Sequence, residues 1–218
     1  MATRTAQPPG TAAQHALEEL RRSIVAGDLR PGQRVGQEEI AERLGVSLAP
    51  VREALAALEQ EGQLTYKPRR GYFVTELRLE DLREIYELRT LLEDRAARRA
   101  APLLDEDALE RVELAAREVV EAAAAGDVAA ELAANRRFHF ALLEAPGQTH
   151  ALRLIRLLWD STETYRAIYY NSPSERTEAV RAHERIVAAL RDGDADCLVA
   201  ELDAHRQRAL DRLGEILV

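Results

Sequence analysis

Apolar positions recur at helical spacing through most of the chain and switch to a shorter period only once. From about Thr11, the residues Ala16, Leu17, Leu20, Ile24 and Val25 predict a helix that ends at AGDLRPG, where Gly27, Pro31 and Gly32 interrupt the pattern. Ile40 and Leu44 point inward from a second, short helix over about 37–44. A third helix, about 48–61, carries Val51, Leu55 and Leu58 at i, i+4, i+7. Ser47 stands at its N-cap position, Pro50 falls in the first turn, where no N–H partner is lost, and Gly62 stops it. Then Leu64-Thr65-Tyr66 and Tyr72-Phe73-Val74 form two short β-favouring runs around KPRRG, which predicts a hairpin with Pro68 and Gly71 shaping its tip.

From Leu79 onward the pattern is helical to the end of the sequence. Leu82, Ile85, Tyr86, Leu88, Leu92 and Ala96 open a long helix, and Asp105 caps the next one. Breaks at Gly126-Asp127, Pro146-Gly147, NSPSE and Gly193-Asp194 divide the remainder, giving about six helices in all. The expected fold class is therefore mainly α: a winged helix-turn-helix over 11–77, then an all-α antiparallel helical bundle over 78–218. Residues 1–10, rich in Pro, Gly and Thr, read as a disordered tail.

Composition sharpens this division. The 218 residues are 46% hydrophobic and 31% charged, enough apolar material for a real core. The net charge of −8 argues against a nucleic-acid partner until its distribution is considered. Residues 1–77 hold 10 basic and 10 acidic side chains and are neutral, whereas 78–218 hold 20 against 28 and carry the whole excess. A neutral segment with cations gathered at a few points still binds phosphates. No apolar run approaches a membrane span, and MATRTAQPPG lacks the apolar core of a signal peptide, so a cytoplasmic location is expected. One cysteine, Cys197, forms no intrachain disulfide and is assigned no chemistry.

Within this frame a few side chains have chemical potential. Leu48, Ala49, Arg52 and Ala56 face away from the apolar stripe of the third helix, a surface of small residues and one guanidinium that suits a DNA groove. The alternative for Arg52 is a structural ion pair, for example with Glu53 or Glu59 of a neighbour. Lys67, Arg69 and Arg70 crowd the hairpin tip and suit phosphate contacts, or simply a solvated turn. His139, His183 and His205 lie in three predicted helices, and Asn135 shares a face with His139. Such residues converge on one internal point in some bundles and are unrelated in others. HER at His183 begins like a zinc-protease helix, but the second histidine position is Val187. With no glycine-rich phosphate loop and no Ser or Cys nucleophile motif, an enzyme is not expected. An unregulated architectural DNA-binding protein would leave the helical second domain unexplained.

The stretches LRRSIVAGDLRPGQRV (20–35), LGVSLAPVREALAALEQEG (44–62) and RRGYFV (69–74) resemble the GntR family of bacterial transcription regulators. IYELRTLLE (85–93), NRRFHFALLEAPG (135–147), AHERIVAAL (182–190) and AHRQRAL (204–210) resemble its branch with an FCD effector domain. The resemblance implies a ligand-responsive regulator, most often a repressor, that binds a palindromic operator as a homodimer. It implies DNA contacts from Ser47, Leu48, Ala49 and Arg52 on the third helix and from Lys67, Arg69, Arg70 and Gly71 on the wing. It also implies a divalent metal, zinc or nickel, held by His139, His183 and His205, with Asn135 as a weak ligand where the family usually has an acid. Arg89 matches an arginine beside the effector cavity that would clamp a small carboxylate, although its spacing also allows a pair with Glu93. His15 and His150 match no ligand position. Leu48 and Glu38 stand where relatives often carry arginine, which leaves fewer cationic base readers.

Overall fold

The computed structural model describes residues 11–144 and 147–217, so the tail expected over 1–10 and the Pro146 half of one predicted break lie outside the described residues. The chain divides into two compact units between Glu76 and Leu77.

In the first unit, α1 (Ala12–Val25) starts at Thr11, whose hydroxyl accepts the N–H of Gln14. β1 (Arg34–Val35) follows, then α2 (Gln37–Leu44) and α3 (Leu48–Gln60). β2 (Leu64–Lys67) and β3 (Gly71–Val74) form the predicted hairpin, and β3 sits between β1 and β2 in an antiparallel sheet. β1 was not foreseen, because two residues are too short to show a period. The core of this unit is built from the predicted stripes: Ala16, Leu20 and Ile24 of α1 pack with Val51, Leu55 and Leu58 of α3, closed by Leu64 and Val74. Each such leucine contributes about 1.5–3 kcal/mol through burial.

The second unit is a helical bundle: α4 (Leu79–Ala100), α5 (Glu106–Ala125), α6 (Val128–Glu144), α7 (Thr149–Ser161), α8 (Glu163–Tyr170), α9 (Pro173–Arg191) and α10 (Ala195–Ile216). Asp105 caps α5 as predicted, accepting the N–H of Ala108 at 2.8 Å. Gly126, with φ of +70°, ends α5 in the left-handed conformation that turns the chain into α6. Among the described residues, seven α-helices stand where about six helices were expected. The extra division falls inside LLWDSTETY, which has no Gly or Pro to signal it. There the Ser161 and Thr162 hydroxyls donate to the carbonyls of Leu158 and Trp159, competing with the helical ladder and separating α8 from α7. Val112, Phe138, Leu142, Trp159, Ile186 and Leu198 are among the buried residues at the bundle's centre.

Candidate functional site

Two candidate sites emerge, one in each unit. In the first, Ser47 stands at the N-cap of α3, but its side chain makes no capping bond, so its exposed hydroxyl is not committed to the helix end. Ala49 and Arg52 are exposed on the outer face of α3. Leu48 corrects the expectation of a fully outward face: it is half-buried and packs on the core, which leaves only part of its side chain for a base. Arg52 pairs with neither Glu53 nor Glu59. Its Nε donates to Oε1 of Gln37, the first residue of α2, at 3.1 Å. That bond uses one edge of the guanidinium and orients the rest, a role for Gln37 that no sequence signal announced.

The wing is a tight turn in which the Arg70 N–H donates to the Lys67 carbonyl at 2.9 Å. Pro68 fixes the first central position, while Arg69 takes the second with φ of +64°, a conformation costly for any residue but glycine. Gly71, with φ of +91°, meets that demand without strain. Lys67 and Arg70 lie over the Phe73 ring, 4.7 and 5.4 Å from its centroid. Arg34 of β1 donates to the Arg70 carbonyl at 3.0 Å and braces the turn. Lys67, Arg69 and Arg70 are all exposed, and strain, stacking and bracing together hold three cations on a small rigid tip.

In the second unit, His139 of α6, His183 of α9 and His205 of α10 meet in the interior. One ligand nitrogen from each lies within 4.8 Å of the others, and the ring centroids are 5.0–5.3 Å apart. All three are buried, as is Asn135 one turn before His139. Burial, helped by the neighbouring histidines, drives the pKa of His139 and of His183 well below the ordinary value. Burial, with Arg89 and Arg206 nearby, lowers that of His205 to about 4. The imidazoles are therefore neutral at physiological pH, the form that donates a lone pair to a metal. Nδ1 of each histidine, Nε2 of His183 and Oδ1 of Asn135 have no hydrogen-bond partner among the described residues. Buried polar atoms are nearly always satisfied, so four orphaned groups at one point fit a missing ligand. Three neutral nitrogen donors suit zinc or nickel better than the oxygen-seeking magnesium or calcium.

Beside this cluster lies a cavity of about 20 Å³, lined by His139, His205 and Asn135 together with Arg89, Arg166, Arg206, Trp159 and several tyrosines. Arg89 lines it as the resemblance implies, yet its Nε also donates to Glu93 at 2.8 Å, so both readings of this residue hold in part. Glu93 is the organising anion. Burial pulls its pKa up, but Arg89 and Arg206 overcome this and keep it below the usual value. It accepts from Trp159 Nε1 at 2.7 Å and from Arg206 at 3.3 Å. Trp159, Arg166 and Arg206 went unnoticed in the sequence, where a tryptophan and two more arginines in helices look like core and surface. His15 and His150 are exposed and lie in α1 and α7.

The two units match a known pair of domains. The profile of bacterial regulatory proteins of the gntR family matches residues 12–74, and that of the FCD domain matches residues 84–208. The Nta operon transcriptional regulator of Aminobacter aminovorans is 30% identical over 195 residues, covering 88% of this chain and 90% of its own. The uncharacterized HTH-type transcriptional regulator YdhC of Bacillus subtilis is 28% identical over 91% of this chain and 89% of its own. Among solved structures, McbR/YncC of Escherichia coli superposes with a TM-score of 0.83 at 25% identity, over 96% of this chain and all of that one. Among the described residues, no helix is long and apolar enough to cross a membrane. A helix-turn-helix with a cation-tipped wing, followed by an FCD bundle, makes this chain a member of the GntR family of bacterial transcription regulators.

Proposed function

We propose that the protein is a cytoplasmic, homodimeric repressor that leaves a palindromic operator when a small organic acid enters the cavity of its second domain. The observation that carries this reading is the buried cluster of three neutral, unsatisfied histidines next to a cavity walled by arginines. A cluster of that kind has no purpose in a DNA-binding module alone. His139, His183 and His205 hold a divalent metal, zinc or nickel, and Asn135 adds at most a weak carbonyl ligand. When bound, the metal supplies an open coordination position for a carboxylate oxygen. The surrounding residues do the rest: Trp159 and the tyrosines exclude water, and the arginines fix the orientation of the anion. At the DNA, Arg52 with Ser47, Leu48 and Ala49 enters the major groove, and two copies of α3 read the two halves of the operator. Lys67, Arg69 and Arg70, with the backbone at Gly71, hold phosphates.

The reading is tested by elemental analysis and thermal melts of the wild type and of His139→Ala, His183→Ala and His205→Ala, with zinc and nickel titrated in. Metal bound only by the folded state should raise the wild-type melting temperature, and each alanine variant should lose both metal and shift. Asn135→Ala should change little, whereas Asn135→Asp should bind metal more tightly, since an anionic oxygen compensates the buried charge. Metal-free wild type that gains no stability from either ion would reassign the histidines to direct hydrogen bonding of the organic acid.

A further inference from the structure

The first helix of the bundle, α4, buries one face and opens the opposite one to solvent. Leu82, Tyr86, Glu93 and Ala97 are buried along the inner face. At about 100° per residue, the outermost positions are 81, 84, 88, 91, 95 and 98. They are spaced alternately by three and four, the spacing of a coiled-coil seam. The seam reads Asp, Glu, Leu, Leu, Arg, Arg; Asp81 is half-buried and the others are exposed. Leu91, 69% exposed, is the most exposed large apolar side chain among the described residues.

The order of these side chains is its own complement. Turned end for end about a two-fold axis between positions 89 and 90, the seam sets Leu88 against the partner's Leu91 and Glu84 against the partner's Arg95. A parallel pairing would instead set Glu84 on Glu84 and Arg95 on Arg95, which opposes like charges. Within the chain, Asp81 already bonds to Arg78 and Arg98 to Asp196. The inner pair is uncommitted: Glu84 has no ion pair among the described residues, and Arg95 Nη1 donates to the neutral Oε1 of Gln148 at 2.6 Å. An unrelated partner would have to match the acidic end, the leucines and the basic end separately, whereas a second copy of the helix matches all three by symmetry. A stable dimer buries about 1,200–2,000 Å² in total, more than one seam supplies, and the adjoining α7 adds the exposed Leu154 and Leu157.

We propose that this face of α4 is the interface of the homodimer, in which two copies of the helix cross antiparallel with Leu88 and Leu91 at the centre and a Glu84–Arg95 pair on either side. This deepens the homodimeric reading above and rests on it. The test is sedimentation equilibrium of the full chain without DNA, in which the wild type should be dimeric. Leu88→Glu with Leu91→Glu brings two carboxylates from each chain to the centre and should raise the dimer dissociation constant about a hundredfold or more. Both leucines are exposed within the chain, so circular dichroism of that variant should match the wild type. Glu84→Arg and Arg95→Glu, each alone, oppose like charges twice per dimer and should each weaken it about tenfold. Combined, they restore the pair with its signs exchanged and should return the constant to within about threefold of the wild type. The two side chains stand about 16 Å apart along one helix, so that rescue cannot arise within a chain. A parallel pair, with like charges opposed in every one of these proteins, would show no such loss and recovery. A leucine variant that dimerises as tightly as the wild type overturns the proposal and leaves the homodimeric reading standing. A leucine variant that dissociates while neither charge reversal has any effect overturns the antiparallel register. Wild type that stays monomeric at about 100 µM overturns both the proposal and the reading beneath it.

Discussion

Single side chains here hold conformations or charges that their surroundings alone would not favour. Glu131, in the first turn of α6, is fully buried; among the described residues both carboxylate oxygens lack hydrogen bonds and the one ionic partner is Arg176 at 3.8 Å. Burial outweighs that guanidinium and raises its pKa to about 7. Since the unfolded chain has the ordinary value near 4.5, the folded state binds the extra proton between about pH 4.5 and 7. Stability from this group is thus greatest in acid and falls as pH rises through 7. Glu131→Gln should remove that slope and raise stability at pH 8 by on the order of 1–3 kcal/mol, read from urea unfolding at several pH values. Arg69 presents the complementary case at the wing, a left-handed residue with a cationic side chain. Arg69→Gly should stabilise the isolated turn by about 1 kcal/mol in thermal melts while weakening DNA binding, so that stability and binding move in opposite directions.

At the scale of elements, the wing joins its sequence to its electrostatics most directly. Replacing Lys67, Arg69 and Arg70 together by alanine should weaken binding to every duplex and lower the slope of log K against log salt by about 2–3, because up to three fewer counterions are displaced. Arg52→Ala should instead abolish preference for the operator with little change in the salt slope of non-specific binding, as seen in fluorescence anisotropy. These elements were legible because each is written locally: the α3 stripe has a period, the wing has KPRRG, and α5 has Asp105. What stayed hidden is written across the fold. The division of α7 from α8 depends on hydroxyls of Ser161 and Thr162 turning back on the main chain, and serines and threonines do not announce that choice. Arg166 and Trp159 come together only after the chain turns there. The histidines show an intermediate case, since their spacing alone left convergence open and the family resemblance singled them out.

For the whole molecule, the position of α8 matters most. Tyr165 is buried, and its hydroxyl accepts the Leu77 N–H at 2.6 Å and donates to the Leu77 carbonyl at 3.3 Å. Leu77 is the first residue after the DNA-binding unit, and the residue next to Tyr165 is Arg166. One short helix therefore carries both a residue that lines the cavity and a hydroxyl bonded to Leu77, the first residue of the second unit. Tyr165→Phe should cost about 1–2 kcal/mol of stability and leave the affinities for a small carboxylate such as acetate and for operator each within severalfold. The effect of the carboxylate on operator affinity, measured by anisotropy with and without the anion, should shrink. That coupling also runs backward. If occupancy of the cavity lowers operator affinity tenfold, an operator-bound molecule must hold its anion tenfold more loosely, because the free energy around the cycle closes. DNA is then itself an effector of the cavity. A cell with many operator sites would need a higher anion concentration for the same response than a cell with few, and the hydrogen bond from Tyr165 to Leu77 would set how far that threshold moves.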